Sequence, residues 1–364
     1  LLFVWLGDTM TAIPLIQLGL GGVGRALVQQ VLQQRERLAQ RYNIEFSYLA
    51  LLDSSAALYD PNGLSTADLE AALAAKSQGQ SLRSQAKARQ IGDWRELVPS
   101  QPAIIIDVTA QDGLEAAFAE LVGLGHRIAL ANKRPLCGDS QHFKTMTANG
   151  ATRYEATVGA GLPVISTLQS LLDTGDQILK IEACLSGTLG YLSSSLEEDA
   201  PLSDSVKTAR SLGWTEPDPR DDLSGQDVAR KALILARSCG RDWSFSDVSP
   251  EAWYPPELAS LSVDGFMEQV ASLDQQYRER IAQTRANKAV LRYVATVEQN
   301  GASVGFRELP LSHPLASLKG ADNLISFTTE RYNERPLVVR GPGAGVEVTA
   351  AGVLSDLIAH AREL

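Results

Sequence analysis

The sequence predicts an α/β protein, a doubly wound parallel sheet joined to a second, α+β domain. Three observations carry this. Short apolar runs alternate with helical stretches through the first half of the chain. A glycine-rich turn, Gly19-Leu20-Gly21-Gly22-Val23-Gly24, joins the first of those runs to the first helix. In the second half, an acidic, proline-containing loop from Thr215 runs into an amphipathic stretch that carries Lys231.

Residues 13–18 are apolar and residues 25–34 read as a helix, so the glycines stand in G-x-G-x-x-G spacing between strand and helix. Gly19 allows the tight turn, Gly21 lets backbone approach a pyrophosphate, and Gly24 lets the helix pack against the strand. The helix N-terminus adds N–H groups for the phosphate charge. In this setting the turn reads as a dinucleotide-binding loop; a merely glycine-rich turn is the alternative. A second strand over 46–52 ends in Asp53, where an acid accepts hydrogen bonds from an adenosine ribose and repels a 2′-phosphate. The helix and the connector over 35–42 delay Asp53 beyond the usual spacing, and a plain turn residue is the other reading. No Lys or Arg lies between Asp53 and Lys76, which leans the site toward NAD without excluding NADP.

Residues 101–109 and 126–131 read as two further buried strands with helices between, completing a Rossmann-type doubly wound sheet. Ligands of such sheets bind beyond the carboxyl ends of the strands, where Thr109 and the pair Asn132-Lys133 fall. Lys133 is a solvated loop lysine or a site residue. Residues 154–165 then break from an extended segment into a glycine-spaced loop. Its carbonyls, with a carboxylate such as Glu155, could hold a hard cation; a plain strand-to-helix turn is the other reading.

In the run from Thr215 to Lys231 the prolines fix φ and remove backbone donors, holding Glu216 and Asp218 in a stiff loop. Val228, Ala232 and Leu235 then mark a helix with Ser224 as its N-cap, and Asp227 and Lys231 share one face of it. An ordinary surface pair at this spacing contributes roughly 0.3–0.5 kcal/mol. Fixed carboxylates beside one ammonium instead suit a grip on a small substrate that itself bears an ammonium group.

With 44% hydrophobic and 21% charged residues the composition is that of a globular protein, and the net charge of −10 argues against nucleic acid as a partner. Cys137, Cys184 and Cys239 form no close-spaced pair, so neither a disulfide framework nor a zinc site is indicated, and a reducing cytoplasm fits. The apolar opening stops at Gly7-Asp8, far short of the roughly 20 residues that span a bilayer. Residues 1–9 read as an extension or a fragment edge with no function.

Taken in order, these pieces resemble homoserine dehydrogenase from about Ile13 to Leu364. The most specific stretches are Val158-Gly159-Ala160-Gly161-Leu162-Pro163, Ser186-Gly187-Thr188, the Glu216 to Lys231 run, Gly341-Pro342-Gly343-Ala344-Gly345 and Val348-Thr349-Ala350-Ala351-Gly352. The resemblance implies reversible, NADPH- or NADH-dependent reduction of L-aspartate 4-semialdehyde to L-homoserine, the branch step towards threonine, isoleucine and methionine. It also implies that Glu216 and Asp227 hold substrate, that Asp222 supports the site, that Lys231 is the proton donor and that Lys133 is a second lysine near cofactor and reacting oxygen. Gly19 to Gly24, Thr109, Gly213 and Gly345 correspond to cofactor contacts. Glu155 and the carbonyls of Val158, Ala160 and Leu162 correspond to a monovalent-cation site, usually sodium. The expected organisation is a nucleotide-binding domain over 10–153, a substrate and dimerisation domain over 154–336, and a segment over 337–364 returning to the first domain. A homodimer with a single activity and no threonine feedback is expected.

Gly190 departs from relatives that carry a polar residue there, which leaves local packing open. Two rival functions stand beside this reading. A cysteine-dependent semialdehyde dehydrogenase would need Cys184 as nucleophile, but Cys184 sits in an alternating apolar run and reads as core. A non-catalytic dinucleotide sensor would not need Lys133, Glu216, Asp227 and Lys231 together. The four histidines form no close-spaced set and receive no role.

Overall fold

The computed structural model describes residues 11–364, so the reading of residues 1–9 lies outside the described residues. The described residues divide into two compact units, one of residues 11–157 with 345–364 and one of residues 158–344.

In the first unit the strands are β1 (Thr11–Leu18), β2 (Ile44–Leu52), β3 (Ala57–Tyr59), β4 (Ala88–Arg89), β5 (Ile104–Asp107), β6 (Arg127–Leu130) and β7 (Thr152–Arg153). Among the described residues they form one sheet in the order β4-β3-β2-β1-β5-β6-β7. β2, β1, β5, β6 and β7 run parallel, while β3 and β4 are added antiparallel at one edge. The chain passes from β1 outward to β2 and later returns to β5 on the other side of β1, so the topological switch lies between β1 and β5. That is where open α/β sheets take their ligands. The helix after β1 runs from Gly22 to Tyr42, so the predicted connector over 35–42 is helical and Asp53 comes late for that reason. Ile13, Leu15, Leu27, Val28, Leu51, Ile104 and Ile106 build the core, closed by Val353 and Leu357 of the helix Val346–Ala361.

The second unit holds β8 (Ile178–Cys184), β9 (Ala289–Glu298), β10 (Ala302–Pro310), β11 (Asp322–Thr329) and β12 (Leu337–Pro342). Among the described residues these form an antiparallel sheet in the order β10-β9-β8-β11-β12. The helices Gly187–Glu197, Gln226–Ser238 and Asp274–Ala286 pack on it. β12 corrects one expectation: residues 337–342 pair with β11 in this sheet, and the return to the first unit begins at Gly345. The backbone pairing of Asn323 with Gly341 decides this, because a strand stays with the ladder that satisfies its donors and acceptors. No helix among the described residues is long and apolar enough to cross a membrane.

Candidate active site

In the first unit each motif glycine has a distinct job. Gly19 has φ 101° and donates its N–H to the Leu52 carbonyl at 3.0 Å. At Gly24 a Cβ would stand 2.3 Å from the Gly19 carbonyl oxygen, so no other residue lets the helix start so close to the strand. Beside Gly21 a Cβ would meet nothing within 4 Å, which leaves this backbone open to a ligand. Leu20 is buried, Val23 packs on the core, and Gly22 faces Val346. The turn is fixed from below by Gln17, which is fully buried. Its Nε2 donates to the carbonyls of Gly19 (2.9 Å) and Gly24 (3.1 Å), and its Oε1 accepts from the Tyr48 hydroxyl. Sequence reading passed over Gln17; the signal was a lone amide inside the apolar run.

Thr109 follows β5, donates its hydroxyl to Asp107 at 2.6 Å, and lies with its methyl against Gly19. The glycine turn and Thr109 therefore meet at the switch point. With the exposed N-terminus of a long helix, these residues fit a dinucleotide pyrophosphate. Lys133 stands at the start of the short helix Arg134–Cys137 just beyond β6, where Asn132 ties Asp107 and the Gln111 carbonyl together at 2.9 and 2.8 Å. Gly345 has φ 137° and opens the helix Val346–Ala361.

Asp53 sits at the end of β2, and its carboxylate is filled by its own unit. Oδ1 accepts from the Ser55 N–H (2.8 Å), the Ser55 hydroxyl (2.6 Å) and the Ala56 N–H (3.1 Å). Oδ2 accepts from the Lys76 ammonium (2.9 Å) and the Leu82 N–H (3.1 Å). Burial raises its pKa, but the hydrogen bonds from Ser55, Lys76 and Leu82 outweigh it and hold the carboxyl well below the usual range. The cation absent from the local sequence thus arrives from the helix Thr66–Ser77.

The second unit gathers the acid and lysine residues. The loop after the helix Leu202–Ser211 passes Gly213, whose φ is 68°, and reaches Glu216. Asp222 accepts the Glu216 N–H at 2.8 Å, so the loop closes on itself and fixes the backbone that carries Glu216. Burial pushes the Asp222 pKa up, with the Glu216 and Asp227 charges adding and the hydrogen bond from the Glu216 N–H opposing. The Thr188 hydroxyl donates to the Trp214 carbonyl at 2.7 Å, which brings the Ser186-Gly187-Thr188 motif to the loop.

Lys231 is 9% exposed, on the helix Gln226–Ser238. Its Nζ lies 2.8 Å from Asp227 and donates to the Leu185 carbonyl just past β8 at 2.6 Å. The shared helix face predicted for Asp227 and Lys231 is present, and the ammonium is aimed by partners on two elements. The helix start differs from expectation. Gly225, with φ 72°, is the N-cap, and Ser224 closes the preceding short helix Arg220–Leu223. A Cβ on Gly225 would lie 2.0 Å from the Tyr293 hydroxyl, so close approach and a left-handed backbone together exclude a serine there. Asp218, read from sequence as a second fixed acid, is engaged by Arg220.

Gly159 and Ala160 are both left-handed, with φ 84° and 57°, in the turn that carries Val158, Ala160 and Leu162. Glu155 lies in the first unit, buried in a short 3-10 turn, with its N–H donated to Asp356 at 2.9 Å. Gly190 is explained by packing, because a Cβ there would stand 2.7 Å from the Gly320 carbonyl oxygen. Burial pushes the Cys184 thiol up to about 12, which leaves it protonated and unsuited to nucleophilic attack.

Comparison with known proteins gives matches along the chain. A family model for homoserine dehydrogenase matches residues 163–358, and one for the homoserine dehydrogenase NAD binding domain matches residues 19–156. The homoserine dehydrogenase of Saccharomyces cerevisiae is 38% identical, over 95% of this chain and 97% of the yeast protein. A bifunctional aspartokinase/homoserine dehydrogenase of Zea mays chloroplasts is also 38% identical over 99% of this chain. The chain spans 39% of the length of that maize relative. A Candida auris protein of unknown function superposes with a TM-score of 0.83 at 34% identity, covering 96% of this chain and 98% of that one. A hyperthermophilic archaeal homoserine dehydrogenase mutant in complex with NADPH does so with a TM-score of 0.74 at 25% identity, covering 96% and 97%.

Proposed function

The chain belongs to the homoserine dehydrogenase family, and on that premise we propose that it catalyses the reversible NAD(P)H-dependent reduction of L-aspartate 4-semialdehyde to L-homoserine. The observation that carries the proposal is the buried Lys231 ammonium, held by Asp227 and the Leu185 carbonyl in the unit that also fixes the Glu216–Asp222 loop. The dinucleotide, when bound along the Gly19 to Gly24 turn and Thr109, supplies the hydride that the aldehyde carbon receives. Lys231 stabilises the negative charge that grows on the substrate oxygen and delivers the proton to it. General-acid work of this kind contributes roughly 10²–10⁴-fold. In the direction of oxidation the same nitrogen takes up the hydroxyl proton.

Glu216 and Asp227 are the proposed carboxylates for the substrate ammonium, with Asp222 holding the Glu216 backbone. An analogue without that ammonium would forgo the contact with these two carboxylates and bind more weakly. Lys133 is the second proposed cation for the reacting oxygen, and Gly213 and Gly345 complete the proposed cofactor contacts. Asp53 is already compensated by Lys76, so it sets no uncompensated charge against a 2′-phosphate, which supports NADP as well as NAD. A sodium ion held by Glu155 and the carbonyls of Val158, Ala160 and Leu162, a homodimer made through the second unit, a cytoplasmic setting and a place in threonine, methionine and isoleucine synthesis complete the proposal.

The test is nicotinamide absorbance with L-homoserine and NAD⁺ or NADP⁺ supplied separately, with and without sodium. Lys231→Ala should lose roughly 10²-fold or more of turnover while binding cofactor normally. Near-normal turnover in that variant would overturn the assignment of the proton donor.

A further inference from the structure

The loop that carries Glu216 is anchored by a side chain that no step above uses. Arg220 presents one edge of its guanidinium to Asp218, with Nε at 3.0 and 3.1 Å from the two carboxylate oxygens and Nη2 at 2.7 Å. Its Nη1 donates to the carbonyls of Leu258 (3.4 Å), Ala259 (2.9 Å) and Leu261 (2.6 Å). These carbonyls end the short helix Pro256–Ala259 and lead into the helix Val263–Gln269, where main-chain acceptors lack helical partners. The guanidinium also lies 5.5 Å from the centre of the buried Phe266 ring. One planar cation therefore joins the acidic loop to a separate stretch of chain some forty residues on, with every nitrogen committed.

We propose that Arg220 is a positioning residue for substrate binding, a clamp that fixes the Glu216 backbone by holding Asp218 against the Leu258–Leu261 turn. Its side chain is 13% exposed and its donors are taken, so it does not itself grip a substrate carboxylate. A fork-to-fork pair restricts Asp218 in distance and in plane, and Pro217 and Pro219 on either side transmit that restriction along the loop. Asp222 closes the other end of the same loop on the Glu216 N–H. Glu216 is thus set between two anchors, and the outer one is Arg220. Lysine cannot replace it, because a point charge lacks the fork.

The proposal rests on Glu216 being a substrate ligand, and the experiment separates the two. Arg220→Ala, Arg220→Lys, Asp218→Asn and the double variant are compared with wild type in homoserine kinetics, cofactor affinity, melting temperature and amide hydrogen exchange over residues 214–222. Arg220→Ala and Asp218→Asn should each raise KM for homoserine about tenfold or more, leave kcat within about threefold, and leave cofactor affinity unchanged. The double variant should be no worse than either single one, and Arg220→Lys should recover only part of the loss. Exchange over 214–222 should quicken in all of them. Unchanged KM with unchanged exchange, additive effects in the double variant, or a joint fall in kcat, cofactor affinity and melting temperature would overturn the clamp. If exchange quickens as expected but KM stays put, the clamp stands as structure while Glu216 is not a substrate ligand, and the positioning role is overturned.

Discussion

At the scale of single residues, His360 makes the most direct prediction. It is fully buried, its Nε2 lies 2.9 Å from the Ile128 carbonyl and donates to it, and burial pushes the imidazole down to about 4. An unfolded histidine binds its proton near pH 6.5. As pH falls from there toward 4 the unfolded chain takes up a proton that the folded one refuses, so stability is lost on acidification, by at most about 3 kcal/mol. The raised Asp356 carboxyl has the opposite slope, so the readout is the difference between wild type and His360→Asn in denaturant melts from pH 7 to 4.5. That variant should flatten the acid side of the curve; parallel curves would show that His360 does not titrate there. Residues of this kind also mark what a sequence displays. Glu216, Asp227 and Lys231 stood out as candidates because their types crowd one short run, whereas Asp222 came only with the family resemblance. Gln17 and Arg220 did not stand out, because what they do depends on carbonyls at Gly24 and at Leu258 to Leu261 that only folding delivers.

Among the elements, the helix Gln226–Ser238 was legible from its apolar spacing, yet its first turn is set by a tertiary contact. Gly225 rests on the Tyr293 hydroxyl, which donates to the Glu251 carbonyl at 2.6 Å. Gly225→Ala should cost roughly 1–3 kcal/mol through left-handed strain and overpacking, and should lower turnover because the Asp227–Lys231 face tilts. Adding Tyr293→Phe removes the clashing oxygen and should restore part of both losses, as thermal melts and assays would register. A Gly225→Ala protein that melts and turns over like wild type would mean the helix start is not fixed there. The same limit explains the other differences between sequence and structure. Ser224 has the chemistry of a cap but lacks the backbone freedom that this site demands. Residues 337–342 have the composition of any apolar strand, and only their partner β11 assigns them to the second sheet.

For the whole molecule, the decisive feature is that the first unit is made from two separated stretches of chain. The helix Val346–Ala361 buries Ala350, Val353, Leu354 and Leu357 in the core of that unit, packed against the helix Gly22–Tyr42. Each large apolar side chain so buried contributes roughly 1.5–3 kcal/mol, and a domain's net stability is only about 5–15 kcal/mol. A chain stopped after Ala344 should therefore lose cooperative folding and dinucleotide binding in the first unit while the second sheet keeps its fold. Circular dichroism with cofactor titration would detect this, and retained cofactor binding would contradict it. The alternation of strand and helix made this sheet readable from the start, but the seam at Gly345 depended on which neighbours the returning helix found. During synthesis the ribosome must release all of residues 158–344 before that helix can dock. At translation rates of about 5–20 residues per second this leaves an incomplete, apolar surface waiting for roughly 10–40 s. The portion made first is the portion finished last, and the nascent chain is a natural client for a chaperone throughout that interval.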